Sequence, residues 1–394
     1  MTNTTLISIF LFLLLSCTNQ DKENQFPTLS WETSTFEDEG LKRESMDSIL
    51  IGIENGIYGN VDQLLLIKNG KLVLNQSFAN DYEQISKGKS GILGCGFATC
   101  TDSTSFGDYN YYHPKWHPYY QNQKVHSLQS VTKSIASIMI GVAIKEGHIS
   151  NTDARVVDFF KDYDLSKVDE LLKTATLENL LTMQFGMEWH EDDRPLDMTN
   201  TTAQLEASKD WIQFTLEQPM DTIPGKKWVY NSGASHLMSG IIKNVTGSYI
   251  DKYAEKFLFG PLGIKNYYWK KTPAGFPDTE GGLYLGAEDL AKIGYLMINM
   301  GAWEGQQIIS ADWVKRSTTK QVEFDKEGGY GYQWWRQDQE GVEVWACIGF
   351  GNQYLLVFPK FKTIAVVNSW NIFDAETKNI LKAVKTAVIE SNSE

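Results

Sequence analysis

The stretch SVTKSIASIMIGVAIKEG, residues 130–147, is apolar on nearly every side of a 3.6-residue period and rich in small residues. That is the pattern of a helix buried at the centre of a domain, and Gly147 supplies its stop. Ser130 opens it, where free N–H groups and the helix dipole favour negative charge and so help a forming alkoxide. Lys133, three residues on, falls on the same face one turn later. Burial disfavours an ammonium, so this lysine is expected to take or relay the serine proton. Ser-x-x-Lys also occurs at Ser86 and Ser317. The former lies in a charged, Gly-containing loop and the latter at the end of an amphipathic helix. Only Ser130 begins an apolar helix. Taken alone, the pattern fits a capping serine followed by an unrelated lysine equally well.

Working outward, Arg43–Gly56 has helical spacing and leads into LLLIK-NG-KLVLN, residues 64–75. Asn69-Gly70 between two apolar runs signals a hairpin, because both turn positions need positive φ. A loop rich in Gly, Tyr and His fills 87–124. Beyond the buried helix, Ile149 to about Thr319 reads as helix and loop. Four short strand patterns follow: YGYQWWR (330–336), VEVWAC (342–347), QYLLVF (353–358) and TIAVVN (363–368). A last helix is expected from about 376 to 389. Strands near both ends with helices between them give an α+β fold. Its central antiparallel sheet is flanked by helices, with an inserted all-helical subdomain at roughly 149–319.

The chain begins with an apolar run, Leu6–Leu15, too short to span a bilayer and followed by Leu14-Leu15-Ser16-Cys17. This ending resembles a bacterial lipoprotein box, although no Lys or Arg precedes the apolar run. Residues 1–16 are therefore expected to be a lipoprotein signal peptide, with Cys17 lipidated. The protein would be exported and lipid-anchored to a bacterial membrane, facing periplasm or cell surface. Residues 17–40 would form a tether and 41–390 the folded domain. Cys95 and Cys100, five apart in a Gly-rich loop, form a local disulfide or remain free thiols; both readings stay open. No Cys/His set has zinc-ligand spacing, and Pro114 and Pro118 prevent a helix from pairing His113 with His117. With 36 basic against 49 acidic side chains, a net of −13 and no compact Lys/Arg run, nucleic acid is disfavoured as a partner.

Four segments in order carry a resemblance: HSLQSVTKSIASIMIGVAIKEGHIS (126–150), LENLLTMQFGMEW (177–189), WVYNSGASHLMSGII (228–242) and GGLYLGAEDLAKIGYLMINMGAWEGQQIIS (281–310). Together they closely resemble the serine beta-lactamase-related superfamily. That group includes class C beta-lactamases, D-alanyl-D-alanine carboxypeptidases, family VIII esterases and 6-aminohexanoate-dimer hydrolases. The resemblance spans roughly Gly40 to Ser369 and implies an active site in the cleft between sheet and helical subdomain. It implies Ser130 as nucleophile, Lys133 as its proton-handling neighbour and Tyr230 as the phenol that acts as general base. Lys133 would lower the pKa of that phenol.

The match departs from the family's pattern twice. Ser232 stands where the family's tyrosine motif has Asn, and Cys347-Ile348-Gly349 stands where it has a cationic residue, Thr and Gly. By position, Ser232, Cys347, Gly349 and Phe350 are implied substrate contacts. Gly349 would let the strand approach the substrate, and the Phe350 and Ser130 N–H groups would form the oxyanion hole. Without the cation, beta-lactams and peptidoglycan stems, which present a carboxylate, fit less well than small ester or amide substrates. Trp189, Trp334, Trp335, Tyr111 and Tyr112 are candidates for cleft walls or for core. His190 to Asp193 reads as a solvated loop. No cofactor is implied. A serine hydrolase of esterase or amidase type is the leading expectation. A beta-lactamase or D,D-peptidase is the second, and a catalytically silent binding lipoprotein the third.

Overall fold

A strand with four consecutive large apolar residues needs cover on both faces, and Leu64, Leu65, Leu66 and Ile67 are all buried. The computed structural model describes residues 26–88, 111, 117–120, 124–195, 197–372 and 377–393. Its central sheet contains β1 (Glu32–Thr33), β2 (Val61–Lys68) and β3 (Lys71–Ser77) from the beginning of the chain. Three short strands, β4 (His126–Ser127), β5 (Tyr267–Trp269) and β6 (Leu283–Leu285), form a separate small sheet, and β7 (Ala302–Trp303) with β8 (Gln306–Gln307) forms a hairpin. The rest of the central sheet comes late: β9 (Val322–Glu323), β10 (Gly328–Tyr330), β11 (Trp335–Gln337), β12 (Trp345–Gly349), β13 (Gln353–Phe358) and β14 (Thr363–Ser369). The strand order is β1-β3-β2-β14-β13-β12-β11-β10-β9. Every pairing is antiparallel except the short parallel β1–β3 edge. The two ends of the chain meet where β2 pairs β14, with Leu64 opposite Val367. Asn69 and Gly70, at φ +51° and +81°, make the β2–β3 turn that their sequence required.

Helix α1 (Glu44–Glu54) packs with the C-terminal α11 (Ile380–Ser391) over the face carrying Leu64, Leu66, Leu356 and Ala365. Between them in sequence come α2 (Tyr82–Ser86), α3 (Val131–Lys145), α4 (Leu177–Leu181), α5 (Thr201–Ala207), α6 (Trp211–Leu216), α7 (Ser232–Thr246), α8 (Ile250–Ala254), α9 (Ala287–Ile298) and α10 (Ala311–Thr318). Helices α3 and α9 lie on the opposite face, over Leu65, Ile67, Leu355 and Ile364. All residues of α3 from Val131 to Ala143 are buried, which is why the segment lacks a polar stripe. Each fully buried Leu or Ile in these layers stabilises the fold by about 1.5–3 kcal/mol.

Four details differ from the sequence reading. The expected tether, 17–40, is laid onto the domain from Phe26 onward. Phe26 packs on Trp303 at 5.1 Å between ring centroids, and Trp31 is buried with its indole N–H donating to the Glu288 carbonyl. The segment 149–319 is mainly helical but not all-helical, because β5 and β6 extend β4, and its α9 belongs to the cover of the central sheet. YGYQWWR is two strands rather than one. Gln333, at φ +60°, turns the chain and donates its backbone N–H to the Leu181 carbonyl. The last helix begins at Ile380, where the Asn379 side chain caps it by accepting from the Lys382 N–H. Cys17, Cys95, Cys100 and Tyr112 lie outside the described residues. No described helix is long and apolar enough to cross a membrane.

Candidate active site

Ser130 immediately precedes the first residue of α3, and the residue before it, Gln129, holds a left-handed φ of +49°. A non-glycine residue there is strained and persists only where its surroundings fix it. Gln129 is buried, and its side-chain amide donates to Ser127 Oγ at 2.9 Å. The preceding strand is fastened in turn, with His126 Nε2 3.0 Å from Asp62 Oδ2 on β2. The hydroxyl is therefore presented by a sharp, braced entry into a buried helix.

Lys133 reaches back along α3 and donates from Nζ to Ser130 Oγ at 2.7 Å and to the Glu280 backbone carbonyl at 2.7 Å. Its remaining direction faces Glu280 Oε2 at 3.5 Å. With the lysine 1% exposed, all three N–H groups have an acceptor, so the burial of its charge is compensated. Glu280 was not singled out in the sequence. It sits in the turn Asp278-Thr279-Glu280-Gly281-Gly282, where Asp278 Oδ1 accepts from the backbone N–H groups of Glu280 and Gly281. Asp278-x-x-Gly-Gly was the available signal, because an aspartate two residues before a glutamate with paired glycines marks a tight turn. Burial, then Asp278, push the Glu280 carboxyl up to about 7, while Lys133 pulls it down.

Tyr230 comes from the residues just before α7 and lines the same cleft as Ser130. The Lys133 ammonium sits over its ring, 5.1 Å from the centroid, rather than against its hydroxyl. Desolvation and the carboxylates of Glu191, Asp192 and Glu280 push the phenol well above its ordinary value, with Ser130 acting the other way. The expected lowering by Lys133 is thus reversed. Burial is the largest cause, and the surrounding carboxylates add to it.

These groups open into a cleft of 520 Å³ whose other walls include Trp335, Ile348, Gly349, Phe350, Asn352 and Tyr354. Of the aromatic candidates, Tyr111 and Trp335 line it, whereas Trp334 is fully buried core. Two implied substrate contacts, Ser232 and Cys347, and one candidate wall, Trp189, turn out to face elsewhere. Ser232 is fully buried, donating from Oγ to Glu191 Oε1 at 2.6 Å and from its N–H to Oε2 at 2.9 Å. Trp189 is buried beside Leu205 and Trp211 and donates its indole N–H to Glu191 Oε2. Both hold Glu191 rather than facing the cavity. Cys347 points into the core on the α3 side, where burial pushes its thiol up; alternation along β12 brings its neighbour Ile348 to the cleft instead. Gly349 and Phe350 do line the cleft. An added Cβ on Gly349 would lie 2.4 Å from the Leu128 carbonyl oxygen, so the glycine is required by backbone packed against the entry to Ser130. His190 forms a loop cluster, 2.8 Å from Asp193 and 3.4 Å from Glu188. No group of three His, Cys, Asp or Glu able to hold a metal occurs among the described residues.

Comparison with known proteins places this architecture. A region of 277 residues, 62% of this chain and 66% of the relative, just under two thirds of it, is 25% identical to the 6-aminohexanoate-dimer hydrolase of Paenarthrobacter ureafaciens. Among solved structures, a penicillin-binding protein from Bacillus halodurans superposes with a TM-score of 0.58 at 16% identity, covering 89% of this chain and 99% of that one. A family VIII carboxylesterase does so with a TM-score of 0.60 at 14% identity, covering 91% and 98%. These structures share the fold: an antiparallel sheet flanked by helices, as in beta-lactamases and transpeptidases. The beta-lactamase family profile matches residues 61–384, from β2 through most of α11, and the chain belongs to that family.

Proposed function

We propose that the protein is a serine hydrolase that cleaves ester or amide bonds through an acyl-enzyme at Ser130. The observation that carries this reading is the convergence of three groups, with Lys133 Nζ 2.7 Å from Ser130 Oγ and Ser130 and Tyr230 lining the same cleft. The Ser130 hydroxyl donates toward Tyr230 and accepts from Lys133, so its attacking lone pair is oriented and a forming alkoxide has a cation beside it. Because the phenol is held protonated, Tyr230 acts as a relay. As Ser130 Oγ bonds to the substrate carbonyl carbon, its proton passes to Tyr230 Oη while the phenol proton goes to the departing oxygen or nitrogen. Deacylation runs the relay backward: water attacks the acyl carbon, its proton goes to Tyr230, and the phenol proton returns to Ser130 Oγ. The N–H groups of Ser130 and Phe350 hold the carbonyl oxygen at the N-terminal end of α3. Glu280, with Oε2 3.5 Å from Nζ, holds Lys133 aimed at Ser130.

On the same reading the protein is exported and held to a membrane by lipid on Cys17, which the apolar run before that cysteine supports. Cys347, inward-facing and uncharged, supports a substrate without the carboxylate of beta-lactams. A fluorophosphonate probe tests the chemistry. Labelling of the purified protein that disappears in Ser130→Ala is expected; a folded protein that stays unlabelled would instead favour a catalytically silent binding lipoprotein.

A further inference from the structure

A second ammonium is buried behind Lys133. Lys270 follows β5 directly and is 4% exposed. A cation taken out of water to this degree needs polar and charged company. Its Nζ lies 3.4 Å from His117 Nε2. Its charge also acts on the carboxyls of Glu206, Asp278 and Glu280, all buried, and draws each down against the rise that burial imposes.

The backbone of Lys270 grips the turn that carries Glu280. Its N–H donates to the Gly282 carbonyl at 2.9 Å, and its carbonyl accepts from the Asp278 N–H at 2.8 Å. Within the turn, Asp278 Oδ1 accepts from the N–H groups of Glu280 at 2.8 Å and Gly281 at 3.1 Å. On the side of α7, the Thr279 hydroxyl donates to the Ser235 carbonyl at 3.0 Å. The turn is thus fixed from within and from two neighbouring elements. It presents both its Glu280 carbonyl, at 2.7 Å, and the Glu280 carboxyl, at 3.5 Å, to Lys133 Nζ. Direct contacts therefore run from Lys270 through the turn to Lys133 and on to Ser130.

We propose that Lys270 and Asp278, neither of which lines the cleft, are positioning residues for the Ser130 reaction: between them they set the charge that Glu280 presents to Lys133. This rests on the hydrolase reading and deepens it, placing control of the nucleophile behind the cleft. The two act with opposite sign, since a cation beside Glu280 favours its carboxylate and an anion disfavours it. The groups that face this cluster are Lys133 on α3, Glu191 in the loop before α5, Glu206 on α5, Tyr230 ahead of α7, and Tyr111 and His117 ahead of β4. Charges that share so closed a volume titrate together, so removal of either Lys270 or Asp278 is felt at Glu280.

The test measures the second-order rate of fluorophosphonate labelling of Ser130 from pH 5 to 9 with the purified protein. The wild-type rate is expected to fall as pH drops through about 7, where Glu280 takes a proton. Lys270→Met should move that midpoint upward by about half a pH unit or more, slowing labelling at pH 6 roughly threefold. Asp278→Asn keeps an oxygen for the two turn N–H groups but loses the charge, so its midpoint should move downward. Lys270→Arg should restore the wild-type midpoint. Loss of packing alone lowers the plateau and does not send the two midpoints in opposite directions. Circular dichroism checks the fold of each variant, and should Lys270→Met fail to fold, the direction of the Asp278→Asn midpoint decides. Labelling whose midpoint is the same in every folded variant, or moves the same way in both, overturns the positioning role alone. A folded wild-type protein that is never labelled overturns the hydrolase reading together with it.

Discussion

The two ends of the cleft are built on opposite principles. At the Ser130 end, Lys133, Ser130 and Glu280 form short contacts beside Tyr230, and every N–H of the ammonium has an acceptor. At the acidic end, Asp192 lines the cavity with no hydrogen bond or ion pair to a described residue, and the Thr202 hydroxyl is buried with no partner among the described residues. The first arrangement is finished before a ligand arrives, as a site does when its dipoles must not reorganise during reaction. The second leaves a carboxylate without a counter-charge among the described residues.

Substitutions can break or sharpen this contrast. The largest effect is expected at the finished end: Ser130→Ala should lower kcat on the order of 10⁴-fold or more, measured with an aryl ester. Tyr230→Phe should cost on the order of 10²- to 10⁴-fold. Amides should suffer more than aryl esters, because an aryl oxide leaves without the relayed proton; equal losses for both would remove Tyr230 from the leaving-group step.

Glu280→Gln tests the support of Lys133. The Glu280 carboxyl is raised from its ordinary 4.5 to about 7, so it gains a proton as pH falls through 7 and no longer opposes the ammonium. Wild-type kcat/KM should decline below that pH, by up to tenfold per unit, and the glutamine variant should lack this limb. Because the folded-state value is the higher one, its contribution to stability is full below about 4.5 and is lost as pH rises through 7. Denaturant midpoints of the variant should be flatter over that window. The smallest effect is expected at Ser232. Ser232→Ala removes a 2.6 Å bond to Glu191 and should destabilise the fold by about 1–3 kcal/mol with KM nearly unchanged. A large rise in KM with an unchanged Tm would restore Ser232 as a substrate contact.

Much of the frame was legible because it follows from local pattern. Asn69-Gly70 needed positive φ, the two-sided burial of β2 showed as LLLI, and the absence of a polar stripe from 131 to 143 announced that α3 is surrounded. Strands β5 and β6 and the turn carrying Glu280 escaped for the same reason in reverse. Strands β5 and β6 are three residues each and stand only because β4 pairs beside them. The role of Glu280 depends on a contact across 147 positions of sequence.

The sequence by itself determined which residues could react: a serine opening a buried helix, a lysine one turn on, and a tyrosine ahead of a second buried helix. Only the tertiary structure decided their electrostatics and their neighbours. It set Glu280 against Lys133, surrounded Tyr230 with carboxylates, turned Ser232, Trp189 and Cys347 inward, and left Asp192 facing the cavity. Periodicity within one helix or strand fixes which side of that element is apolar. Charge, burial and reach are sums over residues far apart in the chain, and they acquire values only when the elements pack.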